Sequence, residues 1–117
     1  MSDFYCEEVL SGKTKVPVVY ESNLVLAFYH TRPYFEHHVV IIPKRHIESL
    51  SEKDAVSDQL AIEFLQAIQF VTSMLENVHG GCRICSNVGS YQTSKHLHWY
   101  VHAGNRLRDE DGNQIAA

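Results

Sequence analysis

Apolar and polar positions alternate along the chain in a way that predicts short strands and one long helix. The predicted strands cover residues 18–21, 24–30, 37–42, 82–88 and 95–102. Ser22-Asn23 separates the first two runs, a spacing typical of a β-hairpin. Residues 37–42 are apolar on both faces of an extended chain, which predicts a central strand, and Pro43 ends that strand.

A helix is predicted between about Asp54 and Val78, because apolar residues recur there at spacings of three and four. Its apolar stripe consists of Leu60, Phe64, Ile68, Val71 and Leu75. Ser51, with an acidic residue three positions later, is the predicted N-cap, and Gly80-Gly81 ends the helix. Residues 4–10 are predicted to form a short helical segment. This order of elements predicts an α+β fold on a mostly antiparallel sheet.

The composition indicates one ordinary globular domain. The chain has 117 residues, of which 44% are hydrophobic and 21% are charged. We expect one domain over 1–117, with an ordered core over about 4–104 and a polar tail over 105–117. The net charge of −4 argues against a protein that binds nucleic acid by neutralising many phosphates.

The sequence also predicts where the protein is found. No apolar run approaches the roughly 20 residues of a membrane helix, and the start of the chain does not resemble a signal peptide. The three cysteines are an odd number, which does not suggest a disulfide framework. We therefore expect no contact with a membrane and a location in the reducing cytoplasm.

Histidine is the unusual component of this composition, with eight residues in the chain. On an extended strand, His96, His98, Tyr100 and His102 share one face, and apolar residues occupy the other. Imidazole serves as a metal ligand, a general base or a nucleophile, so each of these roles is open for this face. His46 and His79, in contrast, are interpreted as surface residues.

A metal site is the first interpretation of this face. Two histidines two positions apart on a strand can bind one zinc ion. Cys82 and Cys85 add a C-x-x-C spacing, but within a strand residues three apart lie on opposite faces. No second pair completes a structural site, so we predict no metal ion and no other cofactor.

Two motifs carry a resemblance to a known family. Residues 92–100 (QTSKHLHWY) resemble the His-x-His-x-His signature of the histidine triad (HIT) hydrolases and transferases. Residues 38–46 (HVVIIPKRH) are similar to the family's second motif, a histidine that opens a strand ending in Ile-Pro-Lys-x-His. Leu26-Ala27-Phe28 and Asn87-x-Gly89 also resemble family segments. The resemblance spans about residues 4–104.

The resemblance implies a function and a fold. It implies a nucleotide hydrolase or nucleotidyl transferase in which His98 attacks the α-phosphorus and forms a covalent nucleotidyl-histidine. His96 and His38 would support that histidine. Further positions are implied to bind substrate: Asn87, Gln92 and Thr93 around the phosphate, and Tyr5, Cys6 and Phe28 around the base. The family fold has a five-stranded sheet, and members are typically homodimers whose long helix lies near the interface.

The sequence departs from the family pattern at three places. The third histidine of the triad is Tyr100, which cannot carry a positive charge near neutral pH. His30 stands where relatives often have an acidic residue that holds the ribose. Asp3 and Cys6 occupy the spacing of the zinc-type Cys-x-x-Cys of some bacterial members, which predicts that this site is absent.

The end of the chain helps to choose the branch of the family. Residues after His102 lack the His-Val-x-Pro-Arg continuation of the diadenosine polyphosphate hydrolases. This favours the smaller nucleoside phosphoramidase-like (Hint-like) branch, acting on purine nucleoside 5′-phosphoramidates or related small phosphoesters. The alternative is a nucleotide-binding module of the same fold, in which Tyr100 impairs catalysis. A zinc-binding protein is the third interpretation.

Overall fold

A computed structural model describes residues 3–115 as a five-stranded antiparallel sheet with one long helix and one short helical segment. The strands are β1 (Val18–Glu21), β2 (Val25–Tyr29), β3 (Phe35–Pro43), β4 (Arg83–Ser86) and β5 (Trp99–Arg106). The long helix α1 covers Asp58–His79, and the short segment near the N-terminus covers Tyr5–Leu10. A single 3₁₀ turn covers Gly89–Tyr91. The strand order is β1-β2-β3-β5-β4, which confirms the α+β prediction.

Strand β3 is central, as its apolar pattern predicts, and divides the core into two parts. Val39 and Ile41 pack beneath α1. Val40 and Ile42 pack on the opposite face, against Tyr5 of the N-terminal segment. The two parts alternate along the strand because successive side chains point to opposite faces of a sheet.

The helix begins later than predicted. Ser57, not Ser51, is the N-cap, and its hydroxyl accepts a hydrogen bond from the Leu60 amide at 3.1 Å. Residues 51–54 form a turn that ends at Asp54, whose backbone has a positive φ of 57°. Gly80 ends the helix in the left-handed conformation, as predicted.

A buried carboxylate joins α1 to the β1–β2 hairpin. Glu63 accepts hydrogen bonds from the Ser22 hydroxyl at 2.6 Å and from the Leu24 amide at 2.8 Å. Both donors lie in the connection between the two strands. Glu63 therefore holds the hairpin against the helix. It is a buried charged residue in the first turns of α1, where its neighbours on the same face are apolar.

The histidine strand is shorter at its start and longer at its end than predicted. Strand β5 begins at Trp99, so His96 and His98 lie in an irregular segment before it. The Leu97 amide donates to the Ile47 carbonyl at 2.6 Å, which ties this segment to the connector after β3. The division of faces is as predicted: Leu97, Trp99 and Val101 belong to the core under α1.

Residues 107–115, which belong to the predicted polar tail, make hydrogen bonds to the rest of the chain. The Leu107 amide donates to the Tyr34 carbonyl at 2.7 Å. The side chains of Arg32 and Arg108 both donate to the Gly112 carbonyl, at 3.2 and 2.9 Å. No helix within residues 3–115 is both long and apolar enough to cross a membrane.

Candidate active site

The candidate site lies on the sheet face opposite α1, where β3 and β5 run side by side. His38 on β3 pairs with His102 on β5, and Val40 pairs with Tyr100 two positions further along the strands, on the same face of the sheet. The irregular segment before β5 brings His98 beside Tyr100, with ring centroids 5.0 Å apart. The sheet register and one loop therefore assemble the predicted histidines in one place.

His98 is buried, and only one of its two ring nitrogens has a hydrogen-bond partner in the described chain. The residue is only 1% exposed. Nδ1 lies 2.6 Å from the His96 carbonyl oxygen, which can only accept, so Nδ1 carries the proton. Nε2 is buried and has no partner among the described residues. Burial lowers the pKa of His98, which favours the neutral ring with a lone pair on Nε2.

His38 and His30 are neutral neighbours of this ring. Nδ1 of His38 accepts from the Tyr34 amide at 3.0 Å, so Nε2 carries the proton; that atom is also buried without a partner among residues 3–115. Burial lowers the pKa of His38 to about 3 and that of His30 to about 4. The two rings stack with centroids 4.5 Å apart. The site thus offers neutral imidazole donors near neutral pH.

Tyr100 completes the group of rings. Its centroid lies 4.7 Å from that of His38, and burial raises the pKa of its phenol. His102 lies further along β5 and stacks on Phe35 with centroids 3.8 Å apart. The structure thus places Tyr100, not His102, beside His98.

Two cavities meet at this group and share Thr93 and Tyr100 in their walls. The first has a volume of about 240 Å³, and its walls include Tyr5, Phe28 and His30. The second has a volume of about 400 Å³, and Asn87, His38 and His102 line it. Of the residues predicted to bind substrate, five therefore line a cavity: Tyr5, Phe28, His30, Asn87 and Thr93.

The side chain of Gln92 is hydrogen-bonded to the backbone of the loops around the site. Its side-chain amide nitrogen donates to the Glu48 carbonyl at 2.8 Å and to the Ser94 carbonyl at 3.2 Å, and its amide oxygen accepts from the Gly89 amide. Gln92 is buried and holds the loop around the site in shape. Its direct contact with a phosphate stays a prediction.

Ser94 is a site residue that sequence reasoning missed. Its hydroxyl is buried without a partner in the described chain, and the residue lines the first cavity. A buried hydroxyl without a hydrogen bond is costly unless a ligand or water meets it. The only sign of Ser94 in the sequence was its position inside the 92–100 motif. The direction of its side chain is set by the loop geometry, which the sequence does not show.

A second polar cluster lies beside the first cavity and consists of Asp3, Cys6, His46 and His96. One ligand atom from each residue lies within 4.8 Å of all the others. The backbone amide of Cys6 donates to the Asp3 carboxylate at 3.0 Å. Burial opposes ionisation of Asp3, but this bond and the contact with His96 hold its pKa at about 2. Thiolate, imidazole and carboxylate donors at this separation fit a zinc ion. Cys6 thus faces this cluster, and His46 is part of it.

Comparison with known proteins decides the family. The family model described as the HIT domain matches residues 11–107. The chain belongs to the HIT domain family. An uncharacterised HIT-like protein of Synechococcus elongatus is 32% identical over 108 residues, which cover 86% of this chain and 94% of that protein.

Solved HIT structures agree with the fold. A HIT family hydrolase from Clostridium thermocellum has a TM-score of 0.76 and 27% identity, and the match covers 93% of this chain and 96% of that one. A HIT family hydrolase from Legionella pneumophila has the same TM-score of 0.76 and 26% identity, with 91% and 96% covered. The HIT fold expected from the two sequence motifs is therefore confirmed.

Proposed function

We propose that this HIT protein is a nucleotide hydrolase or nucleotidyl transferase of the phosphoramidase-like (Hint-like) branch. Its substrates would be purine nucleoside 5′-phosphoramidates or related small phosphoesters. The observation that carries the proposal is the buried Nε2 of His98, which has no hydrogen-bond partner in the described chain. The His98 ring lies 5.0 Å from the ring of Tyr100, which lines both cavities. A neutral imidazole with its other nitrogen fixed as a donor is prepared for nucleophilic attack.

The reaction would take two displacements. Nε2 of His98 attacks the α-phosphorus, the bond from phosphorus to the leaving nitrogen breaks with its electron pair, and that nitrogen takes up a proton from the Tyr100 phenol. Water then attacks the same phosphorus and gives a proton back to the Tyr100 oxygen. The bond to Nε2 breaks with its electron pair to release the nucleoside monophosphate. In the covalent intermediate the phosphorylated ring is positively charged, and the hydrogen bond from its Nδ1–H to the His96 carbonyl stabilises that charge.

The surrounding residues fit this reaction. Asn87 and Thr93 are available as donors to the equatorial phosphate oxygens, and His38 Nε2–H is an additional buried donor. The first cavity, whose walls include the aromatic rings of Tyr5 and Phe28, would receive the nucleoside. His30 would contact the ribose there as a neutral imidazole. The second cavity would then receive the leaving group.

The direct test is cleavage of a fluorogenic adenosine 5′-phosphoramidate by the wild-type chain with no metal added. We expect release of the fluorophore together with one equivalent of adenosine monophosphate. Incubation on the time scale of turnover, followed by acid quench and mass spectrometry, should detect the adenylyl group on the peptide that contains His98. Binding without any product would contradict the hydrolase proposal.

The second candidate is a nucleotide-binding module, and Tyr100 is the observation that favours it. By its resemblance to the family motif, residue 100 would be the third triad histidine. The phenol of Tyr100 is a weaker acid than an imidazolium. Under this candidate, calorimetry shows that a purine mononucleotide binds with the cavities intact while no product accumulates.

We also propose that the protein is a homodimer formed through strand β4, which lies at the edge of the sheet. Ile84 on this strand is 46% exposed, and joining two such edges would extend both sheets. Light scattering should give twice the monomer mass of 13.4 kDa. Ile84→Lys should shift the mass toward the monomer, whereas Val18→Lys, at 54% exposure on the opposite edge strand β1, should not. A monomeric wild type would contradict this proposal.

The location is a further proposal, which rests on the three cysteines. Cys6, Cys82 and Cys85 are all free. We propose that the protein works in a reducing compartment, the cytoplasm.

A further inference from the structure

The walls of the first cavity contain polar groups but no carboxylate from residues 3–115. Thr31, Thr93 and Ser94 bring hydroxyl groups to it, and His30 brings an imidazole. The remaining walls are aromatic or aliphatic. A sugar bound in this cavity therefore meets neutral hydrogen-bonding groups and no charged acceptor.

The imidazole of His30 offers this cavity a donor and no acceptor. Its Nδ1 lies 2.9 Å from the backbone amide nitrogen of Arg32, and because that amide can only donate, Nδ1 carries the lone pair. Burial lowers the pKa of His30 to about 4, so the ring is neutral near neutral pH. The single proton of the neutral ring then lies on Nε2. Nε2–H is the one group that this ring can offer to a ligand.

The position of His30 relative to His98 suits contact with a sugar. The ring centroid of His30 lies 5.9 Å from that of Tyr100, and the Tyr100 centroid lies 5.0 Å from that of His98. One methylene group and one oxygen separate the sugar ring of a nucleoside 5′-phosphate from its phosphorus. With the phosphorus at His98 and the base between Tyr5 and Phe28, the sugar hydroxyls are the groups that His30 would meet.

A single N–H and a carboxylate recognise a ribose differently. A carboxylate has two acceptor oxygens and can accept from both vicinal hydroxyls, and a contact of this kind to the 2′-hydroxyl is common in nucleotide-binding proteins. One N–H is satisfied by one hydroxyl oxygen, and the 3′-hydroxyl, which deoxyribose also has, meets that requirement. A hydrogen bond between two neutral groups is also weaker than one to a charged group.

We propose that the first cavity binds the sugar through one hydrogen bond from His30 Nε2–H, and that it accepts 2′-deoxynucleosides as readily as ribonucleosides. The substrate class would then include 2′-deoxynucleoside 5′-phosphoramidates. This assignment rests on the proposed function, because it takes the first cavity as the place of the nucleoside. His30 is thereby the residue that sets the specificity for the sugar.

Calorimetry with three mononucleotides tests this contact without any turnover. Adenosine and 2′-deoxyadenosine 5′-monophosphate should bind the wild-type chain with dissociation constants within about fivefold of each other. The 2′,3′-dideoxy nucleotide should bind about fivefold more weakly than the 2′-deoxy nucleotide, because Nε2–H then loses its acceptor. His30→Ala should abolish this last difference.

His30→Asp should create a selection for ribose that the wild type lacks. We expect this variant to bind the ribonucleotide about tenfold or more tightly than the 2′-deoxy nucleotide, because its carboxylate accepts from both hydroxyls. His30→Asn is the matched control, since it has the same shape without the charge, and its ratio should stay near that of wild type. Circular dichroism checks that each variant is folded.

The same ratios should appear in kcat/KM for the fluorogenic adenosine and 2′-deoxyadenosine 5′-phosphoramidates. A wild type that prefers the ribonucleotide by more than about fivefold would overturn the inference and leave the hydrolase proposal intact. So would a dideoxy nucleotide that binds as tightly as the 2′-deoxy nucleotide, or a His30→Asp variant with the wild-type ratio. Equal binding of the first two nucleotides without cleavage would support the inference and contradict the hydrolase proposal. Absence of binding by all three would overturn both.

Discussion

Replacing His98 with alanine should reduce turnover by a factor on the order of 10³ or more, because no other fully buried imidazole in residues 3–115 has an unpartnered nitrogen that is free of a proton. His38 is also buried, but its Nδ1 lone pair is occupied by the Tyr34 amide. The measurement is steady-state cleavage of the phosphoramidate, with mononucleotide affinity determined by calorimetry on the same preparation. Affinity should change little, since the walls of the first cavity remain.

The matched control is His37→Ala. His37 lies next to His38 on β3, but its ring packs against that of His79 at the end of α1, with centroids 4.2 Å apart, and it lines neither cavity. We expect a rate within a few-fold of wild type for this variant. If His98→Ala retained wild-type turnover, the covalent mechanism would be wrong, and a loss of similar size in both variants would point to damage to the sheet.

The second large effect is expected at Tyr100. A phenol whose pKa burial raises donates a proton poorly to a departing amine, whereas an imidazole titrates closer to neutral pH. Tyr100→His should therefore accelerate cleavage of an alkyl phosphoramidate by a factor on the order of 10². Cleavage of an adenosine 5′-aryl phosphate with an acidic phenol should change little, because that leaving group departs without protonation.

Tyr100→Phe separates the hydroxyl from the ring. It keeps the aromatic packing against His38 and His98 but removes the phenol oxygen. If the phenol donates weakly in the wild type, this variant should be slower on the amidate and unchanged on the aryl ester. A Tyr100→His variant that is slower than wild type on both substrates would show that Tyr100 is suited to a substrate outside the phosphoramidate class.

Several features followed from local sequence. The central position of β3 was predictable, because a strand with apolar residues on both faces has to be covered on both. The apolar stripe of the helix was predictable from spacings of three and four residues, and its end from the glycines at 80 and 81. The approximate site was also predictable, since the His-x-His spacing and the strand that opens with His38 resemble one known family. These properties depend on neighbours a few residues apart.

The start of the helix and the start of β5 were predicted incorrectly for a physical reason. Ser51 was chosen for the acidic residue three positions later, but Asp54 has a positive φ, which does not continue a helix, and the Leu60 amide bonds to Ser57 instead. Likewise the segment before Trp99 alternates like a strand, but the Leu97 amide bonds to Ile47 in a connector far away in sequence. Tertiary hydrogen bonds overrode the local pattern in this segment.

The sequence by itself determined the family, the central strand, the long helix and the histidines to be examined. Only the tertiary structure decided which nitrogen of His98 is free, because a carbonyl contact at 2.6 Å selects the tautomer. It alone also brought Asp3 and Cys6 against His46 and His96, up to 93 residues away in the chain. The spacing of residues in the sequence describes neighbours within one segment. A cluster of polar side chains from several segments depends on the distances between those segments, which only folding sets.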